Sequence, residues 1–208
     1  MTTYINPTLG VDVACFTVAD GIPYVALHTR TFEPEQGKLA LPGVLLDETN
    51  RPNETILQAC TRALAKTNLE KFDHIQQLGY RDNPNRDGRF RVISLPHVAT
   101  VSTGNLDGDV KWTEITEDFS PTLAFDHAEI INEARLILAD AFITNPKLFA
   151  GMFNNDMSAP SVKKVLSRLN PQMATGAVLR DLKKHYTETG LTTVPNVSGG
   201  RPSAIFKA

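Results

Sequence analysis

The stretch from Leu39 to Thr67 constrains this chain most, because within it the backbone must pass from strand through turn and loop into helix. Leu39-Ala40-Leu41-Pro42-Gly43-Val44 is an apolar approach to a glycine turn, and a loop rich in Asp, Asn and Pro follows. From Thr55 the pattern becomes helical. Ile56, Ala59, Cys60 and Ala63 fall at i, i+3, i+4 and i+7, which predicts a buried helical stripe running to about Thr67 with Asn53 as N-cap.

Upstream, Val11 to Val18 and Tyr24 to His28 are β-rich runs joined through Ala19-Asp20-Gly21-Ile22-Pro23. The Asp-Gly step predicts a hairpin. Downstream, residues 80 to 95 form a loop crowded with Arg81, Arg86, Arg89 and Arg91 that leads into a strand. Guanidinium forks suit bidentate phosphate capture. The plainer alternative is an exposed tip whose arginines pair with Asp82 and Asp87.

The second half reads differently. Ile130, Ala134, Ile137 and Ala141 share one stripe, so an amphipathic connector helix should run to Thr144-Asn145-Pro146. Ser158 can cap a further helix with Pro160 in its first turn and Val162, Val165, Leu166 and Leu169 on its buried face. Asn170-Pro171 ends it. Residues 173 to 186 predict another helix that buries Val178, Leu179, Leu182 and Tyr186 and leaves Arg180, Lys183 and Lys184 together outside. Leu191 to Val194 and Ala204 to Phe206 are short β runs around a glycine-bearing loop with Arg201 at its tip. Helix, turn, helix and β-wing describe a winged helix-turn-helix, with residues 173 to 186 as its recognition helix.

With 208 residues, 41% of them hydrophobic, the chain can bury one good core and a smaller one. Two domains and a link are expected: residues 1–127, the connector 128–145, and residues 146–208. Charge divides along the same line. Residues 146 to 208 hold 9 Lys+Arg against 3 Asp+Glu, leaving 12 against 20 in residues 1 to 145. A basic module on an acidic body suits a local polyanion contact, because counterions are released only where cations cluster. Double-stranded DNA is the leading partner. Cys15 and Cys60 sit among apolar neighbours as small core hydrophobes. No basic flank with a long apolar run opens the chain, and no stretch approaches the ~20 apolar residues of a membrane span, so a soluble cytoplasmic protein with no membrane partner is expected.

The strand, glycine loop and helix resemble the Nudix fold and its signature box, in which a Gly is followed by a loop Glu, seven residues, and then Arg-Glu-apolar-x-Glu-Glu-x-Gly-apolar. Glu54 and Arg62 keep the Glu-x7-Arg spacing, Leu64 fits the apolar position, and Leu41-Pro42-Gly43 fits the approach. Ala63, Lys66 and Thr67 stand where three metal-binding glutamates would be. Val44 replaces a frequent second Gly, and Asn68 takes the last Gly position after a one-residue deletion. Carboxylates at helical spacing hold hard divalent cations against a diphosphate, and alanine, ammonium and hydroxyl cannot. Glu48 and Glu54 alone are a poor magnesium site. No catalytic residue, metal or cofactor is therefore assigned.

Residues 80 to 95, Trp112, Leu123 to Ile130, and the ending Gly200-Arg201-Pro202-Ser203-Ala204-Ile205-Phe206 are similar to the Nudix-related transcriptional regulators (NrtR), over roughly residues 8 to 207. The resemblance implies an α+β chain: a Nudix-like mixed-sheet α/β/α sandwich followed by a winged helix-turn-helix. It implies a repressor of NAD metabolism genes that senses ADP-ribose or a related nucleotide, the effector releasing a homodimer from operator DNA. The candidate effector contacts are Arg30, Pro42, Gly43, Arg62, Arg86, Arg89 and Arg91. The candidate DNA contacts are Thr175, Arg180, Lys183 and Lys184 in the major groove, with Lys163, Lys164 and Arg201 on phosphates or in the minor groove. His127 reads as a capping or packing group rather than a catalytic one, and Trp112 as a core or domain-face residue, with adenine stacking as its functional alternative. The expected bistable element is the connector helix, Ile130 to Phe142, packed on Phe125 to His127. Three other readings stay open: a hydrolase using the displaced acids Glu48, Glu54 and Glu70, a sugar effector, and a basic module for protein or RNA.

Overall fold

A computed structural model describes residues 6–69, 71–103, 106, 110–154, 157–193 and 202–208. Its organising element is the long strand β1 (Thr8–Ala19). Successive side chains of a strand point to opposite faces, so Val11, Val13 and Cys15 enter one layer and Ala14, Phe16 and Val18 the other. All six are buried. Both faces being covered accounts for apolar residues at successive positions of the strand.

β2 (Ile22–Thr29) returns antiparallel to β1, and the residues joining them, Asp20 and Gly21, have φ of 51° and 69°. Two consecutive left-handed residues are what a two-residue hairpin turn requires, and Asp-Gly supplies them. β3 (Leu39–Ala40) extends the sheet beyond β2, and β4 (Gly43–Leu45) pairs antiparallel with the first half of β1. The helix α1 (Ile56–Ala65) follows. After β5 (His74–Gln77), β6 (Val92–Ser94) and β7 (His97–Thr100) both run parallel to β1, and β8 (Lys111–Glu114) closes antiparallel on β2. The sheet is mixed, as expected, with α1 on one face and α2 (His127–Thr144) on the other.

α1 begins one step later than the sequence suggested. Its N-cap is Thr55, not Asn53: Thr55 Oγ1 accepts from the Gln58 amide at 3.3 Å, and Gln58 Oε1 accepts from the Thr55 amide at 2.8 Å. This reciprocal pair satisfies two amides that the first turn would leave open. Asn53 instead takes a left-handed φ of 67° in the preceding loop. Thr55→Ala should lower stability by about 1 kcal/mol, read as a shift in the urea midpoint at unchanged slope.

Past α2 come α3 (Pro146–Ala150), α4 (Ala159–Leu169), α5 (Val178–His185), and the hairpin of β9 (Thr187–Thr192) with β10 (Ala204–Lys207). Ser158 caps α4 through the Ser161 amide, as predicted. α5 is shorter than expected, starting at Val178 instead of Met173, with turns over the Gly176 region. Leu179 is 47% exposed rather than buried. In so short a helix the inward stripe is Val178 and Leu182, one turn apart, and Leu179 lies a third of a turn away from it. β9 starts directly after α5, earlier than the predicted run at Leu191, because Tyr186 is already extended.

Two apolar clusters result, and they divide by sheet face. The smaller joins Val11, Val13, Cys15 and Ala26 to Ala59, Cys60, Ala63 and Leu64 of α1, with half-buried Trp112 packed against it. The larger starts from Phe16 and Val18 on the opposite face and continues through α2 and α3 into α4, α5 and Phe206 of β10. It therefore crosses all three segments anticipated from the sequence. Tyr186 anchors this continuity: its hydroxyl donates to the Phe142 carbonyl at 2.7 Å and its ring stacks on Phe142 at 5.5 Å. Arg135 of α2 donates through Nε to the Leu169 carbonyl, the last residue of α4, at 2.8 Å. Burial pushes the Cys15 and Cys60 thiols up to about 12. Among the described residues, no helix is long and apolar enough to cross a membrane.

Candidate functional site

A cleft of about 590 Å³ opens where the first half of β1, β4, the loop after β2, the end of α1 and the start of α2 meet. Gly43 forms part of its floor. A Cβ there would stand 2.3 Å from Asp12 Oδ1 and 2.9 Å from the Val11 carbonyl, so only glycine lets β4 lie this close to β1.

Asp12 is the single acid in the apolar run of β1, and it is buried. Arg86 Nη2 donates to its Oδ2 at 2.5 Å and Ser94 Oγ donates to the same oxygen at 2.6 Å. His127 Nε2 stands 3.3 Å from Oδ1. Nδ1 of that ring accepts the Leu41 amide at 2.9 Å, which leaves the proton on Nε2, facing Asp12. Burial alone would raise the Asp12 carboxyl, yet His127, Arg86 and Ser94 together hold it well below the usual carboxylate range. Arg86 also donates through Nε to both oxygens of Asp126, at 2.8 and 3.0 Å. One guanidinium thus links β1 to the N-cap residue of α2.

Phe125 adopts φ of 53°, a rare state for an aromatic residue, and presents its ring to Arg30 at 4.7 Å and Arg86 at 5.5 Å. Arg30 in turn donates to the Pro34 carbonyl at 2.8 Å and the Phe32 carbonyl at 3.4 Å, shaping the loop that carries the exposed Phe32 to the cleft. Arg89 forms a fork with Asp87 at 3.0 and 2.8 Å. Lys66, just past α1, donates through Nζ to the Gly43 carbonyl at 2.7 Å.

Of the residues expected from the sequence, Arg30, Gly43, Arg86 and Arg89 line the cleft. Pro42, Arg62 and Arg91 do not. Pro42 is buried, with its carbonyl accepting from the Val13 amide at 2.9 Å. Arg62 is committed to Glu54 through two bonds of 2.7 Å and to the Leu45 carbonyl at 3.0 Å, so the Glu-x7-Arg spacing is here an ion pair fastening the loop to α1. Arg91 sits half-buried beside Thr8, whose amide its carbonyl accepts. The loop arginines do not pair as the plain alternative had it, Arg89 with Asp87 excepted: Arg81 reaches Glu133 of α2 at 2.5 Å, and Arg86 reaches Asp12 and Asp126. Asp12, His28, Phe32, Lys66 and Phe125 line the cleft without having been singled out for it. Asp12 was the legible one, an acid inside a strand with no polar neighbour to explain it.

The three box positions fare separately. Ala63 is fully buried in the smaller cluster, Thr67 is buried with its hydroxyl bonded to the Leu64 carbonyl at 2.8 Å, and Lys66 alone reaches the cleft. Among the described residues, no three His, Cys, Asp or Glu side chains converge as a metal site.

On the other module, Arg180, Lys183 and Lys184 are exposed together on α5, and Lys163 is exposed on α4. Lys164 is exposed as well, but its Nζ donates to the Asp20 carbonyl of the β1–β2 turn at 3.2 Å. Thr175 lies half-buried in the turn before α5, outside the helix that was to carry it. Arg201 lies outside the described residues.

A mixed sheet between α1 and α2, with a cation-rimmed cleft and a winged helix-turn-helix packed onto its second face, is the architecture of a Nudix domain fused to a winged helix module. No family model matches the chain. It is similar to the Acinetobacter baylyi "ADPR responsive transcriptional repressor NtrR", with 26% identity over 139 residues, 63% of this chain and 54% of that protein. The chain thus spans about half the length of that repressor. It is 30% identical over 135 residues to the ADP-ribose pyrophosphatase of Methanocaldococcus jannaschii, 62% of this chain and 74% of that one. Shewanella oneidensis NrtR complexed with a 27mer DNA superposes with a TM-score of 0.76 at 26% identity, covering 96% of this chain and 92% of that one. The NUDIX domain of the same regulator, cocrystallised with ADP ribose, gives 0.56 at 32% identity, covering 65% and 90%. The chain belongs to the NrtR family of Nudix-related transcriptional regulators.

Proposed function

We propose that this protein is a repressor of NAD metabolism genes that binds operator DNA as a homodimer through residues 146–208 and is controlled by ADP-ribose or a related nucleotide in the cleft. The observation that carries the reading is the full-length likeness to a regulator solved on DNA, in a chain whose own cleft is rimmed by Arg30, Lys66, Arg86 and Arg89. The cleft is a sensor rather than a hydrolytic site: Ala63 and Thr67 are turned into the core, and Lys66 brings a cation where cleavage of a diphosphate requires carboxylate-held metal. Residues 1–127 carry the effector, residues 128–145 relay its presence, and Arg180, Lys183 and Lys184 with Lys163 meet the duplex.

A ligand changes DNA affinity only through its differential affinity for two states, with typical coupling of about 1–3 kcal/mol. The relay runs through Arg86, which spans the cleft wall and the start of α2. Gel-shift titration on the gene's own upstream duplex, with and without ADP-ribose, tests the reading. ADP-ribose should weaken the complex roughly 5- to 150-fold. No shift on any upstream duplex, together with magnesium-dependent cleavage of ADP-ribose, would instead align the protein with the pyrophosphatase relative. Lys163→Ala should weaken all duplexes alike and flatten the slope of log K against log salt by about 0.9, and an unchanged slope removes Lys163 from the interface.

A further inference from the structure

One face of α4 is turned to the β1–β2 hairpin and β8 rather than to solvent. Ser161, Lys164 and Arg168 fall at i, i+3 and i+7, a single helical stripe, and all three meet the sheet. Ser161 lies under the turn: a Cβ on Gly21 would stand 3.2 Å from its Oγ and 3.5 Å from its Cα, and that hydroxyl is buried with no hydrogen-bond partner among the described residues. Lys164 Nζ donates to the Asp20 carbonyl at 3.2 Å. Arg168 pairs with Glu114 of β8 and donates to the Ile115 carbonyl at 3.4 Å. Glu114 lies opposite Tyr24 of β2, whose phenol is raised by burial and then by the charges of Glu114 and Asp20, with Arg168 opposing, so both acids and the guanidinium share one locality.

Lys163 differs from its neighbour. One residue earlier and so about 100° around the helix, it is exposed and makes no ion pair among the described residues. The stripe is also backed by the apolar side of α4. Val162, Val165, Leu166 and Leu169 are fully buried in the cluster that holds Phe16 and Val18 of β1. Swinging the winged module off the hairpin would return these four side chains to water, at a cost well above the coupling a ligand supplies.

We propose that Lys164 and Arg168 are positioning residues: with the Asp20-Gly21 turn and Glu114 they latch α4 to the sheet, the latch stays closed on operator DNA, and it sets the pose of the recognition helix. The proposal rests on the DNA-binding reading above and deepens it. Lys163 is then the phosphate contact of α4, and Lys164 is not.

Two measurements on the full-length protein and the gene's own upstream duplex test it, with a thermal melt of each variant to check that the fold is intact. In the first, the slope of log K against log salt falls by about 0.9 for each phosphate contact removed, so Lys164→Ala should keep the wild-type slope where Lys163→Ala does not. Glu114→Gln should weaken the upstream duplex about two- to fivefold and leave an unrelated duplex within about twofold, although loss of an acid by charge alone would tighten both. In the second, Gly21→Cys with Ser161→Cys places two thiols within disulfide reach while Cys15 and Cys60 stay buried. The oxidised and reduced forms of this variant share any strain at Gly21, where φ is 69°, so comparing them isolates the lock. Both should bind the upstream duplex within about twofold of each other. Binding lost on oxidation and restored by reduction, a Lys164→Ala slope flattened like that of Lys163→Ala, or Glu114→Gln tightening both duplexes overturns the latch and leaves the DNA reading standing. Failure of wild type to bind any upstream duplex overturns both.

Discussion

Asp12→Asn should lower stability by about 3–5 kcal/mol at neutral pH, the loss expected when one partner of a buried ion pair is removed and the other stays in place. Arg86 has a side chain only 6% exposed, so once Asp12 is neutralised its charge cannot escape to water and keeps Asp126 as its one remaining ion-pair partner among the described residues. The amide that replaces the carboxylate keeps one acceptor oxygen, so it cannot serve both Ser94 and the charge of Arg86, and His127 loses the anion 3.3 Å from its Nε2. For a domain of this size the change corresponds to about 2–4 °C of melting temperature per kcal/mol. The effect should depend on pH in one direction. A carboxyl held below its ordinary value in the folded state contributes stability that is whole above the unfolded value of about 3.9 and is lost as pH falls below it. Wild type and variant should therefore converge in acid. Urea melts at pH 7 and pH 3 measure this, and a difference that stays constant or grows in acid would mean Asp12 is not the charged partner described.

Phe142→Ala should cost about 3–5 kcal/mol, since the ring is fully buried and packs on both Phe149 and Tyr186. Its location matters more than its size. Phe142 belongs to the cluster that runs from the sheet through α2 into α4 and α5, so the loss should fall on the whole chain rather than on one module. Near-ultraviolet and far-ultraviolet dichroism should give coincident transitions, shifted together by the substitution. Separate transitions, with only the later one moved, would show that the winged module melts on its own core.

What the sequence disclosed follows from the range of the interactions involved. The β1–β2 hairpin was legible because an Asp-Gly pair fixes its own turn, and α4 because Ser158 and Pro160 mark its start within four residues. The individual strands and helices and the winged module followed from such local signals, the Nudix-like sandwich was implied by the family resemblance, and full-length structural likeness agrees with both. The cleft was less legible. Arg62 was credited to the site on spacing, yet that spacing serves the bidentate pair with Glu54. Arg86 was credited for its loop, while its partners Asp12 and Asp126 lie 74 and 40 positions away and could not be inferred from neighbours. Lys66 was read as a missing acid, a statement about what it cannot do; only the fold brings its ammonium over the Gly43 carbonyl and into the cavity. The left-handed turn at Phe125 has no sequence signature, because aromatic residues seldom adopt it. Likewise Lys164 was assigned by its charge to DNA, whereas its contact with Asp20 depends on how the winged module lies against the hairpin.

The depth at which Cys15 and Cys60 are held gives the molecule an internal clock. Both thiols lie in the layer beneath α1, fully screened and with little thiolate at neutral pH, so an alkylating reagent can reach them only after that layer opens. Their rate of labelling in the native protein reports the opening frequency of one side of the sheet without any introduced probe. Measured beside the global melt, it tells whether filling the cleft quiets the layer that forms its floor or leaves it to breathe as before.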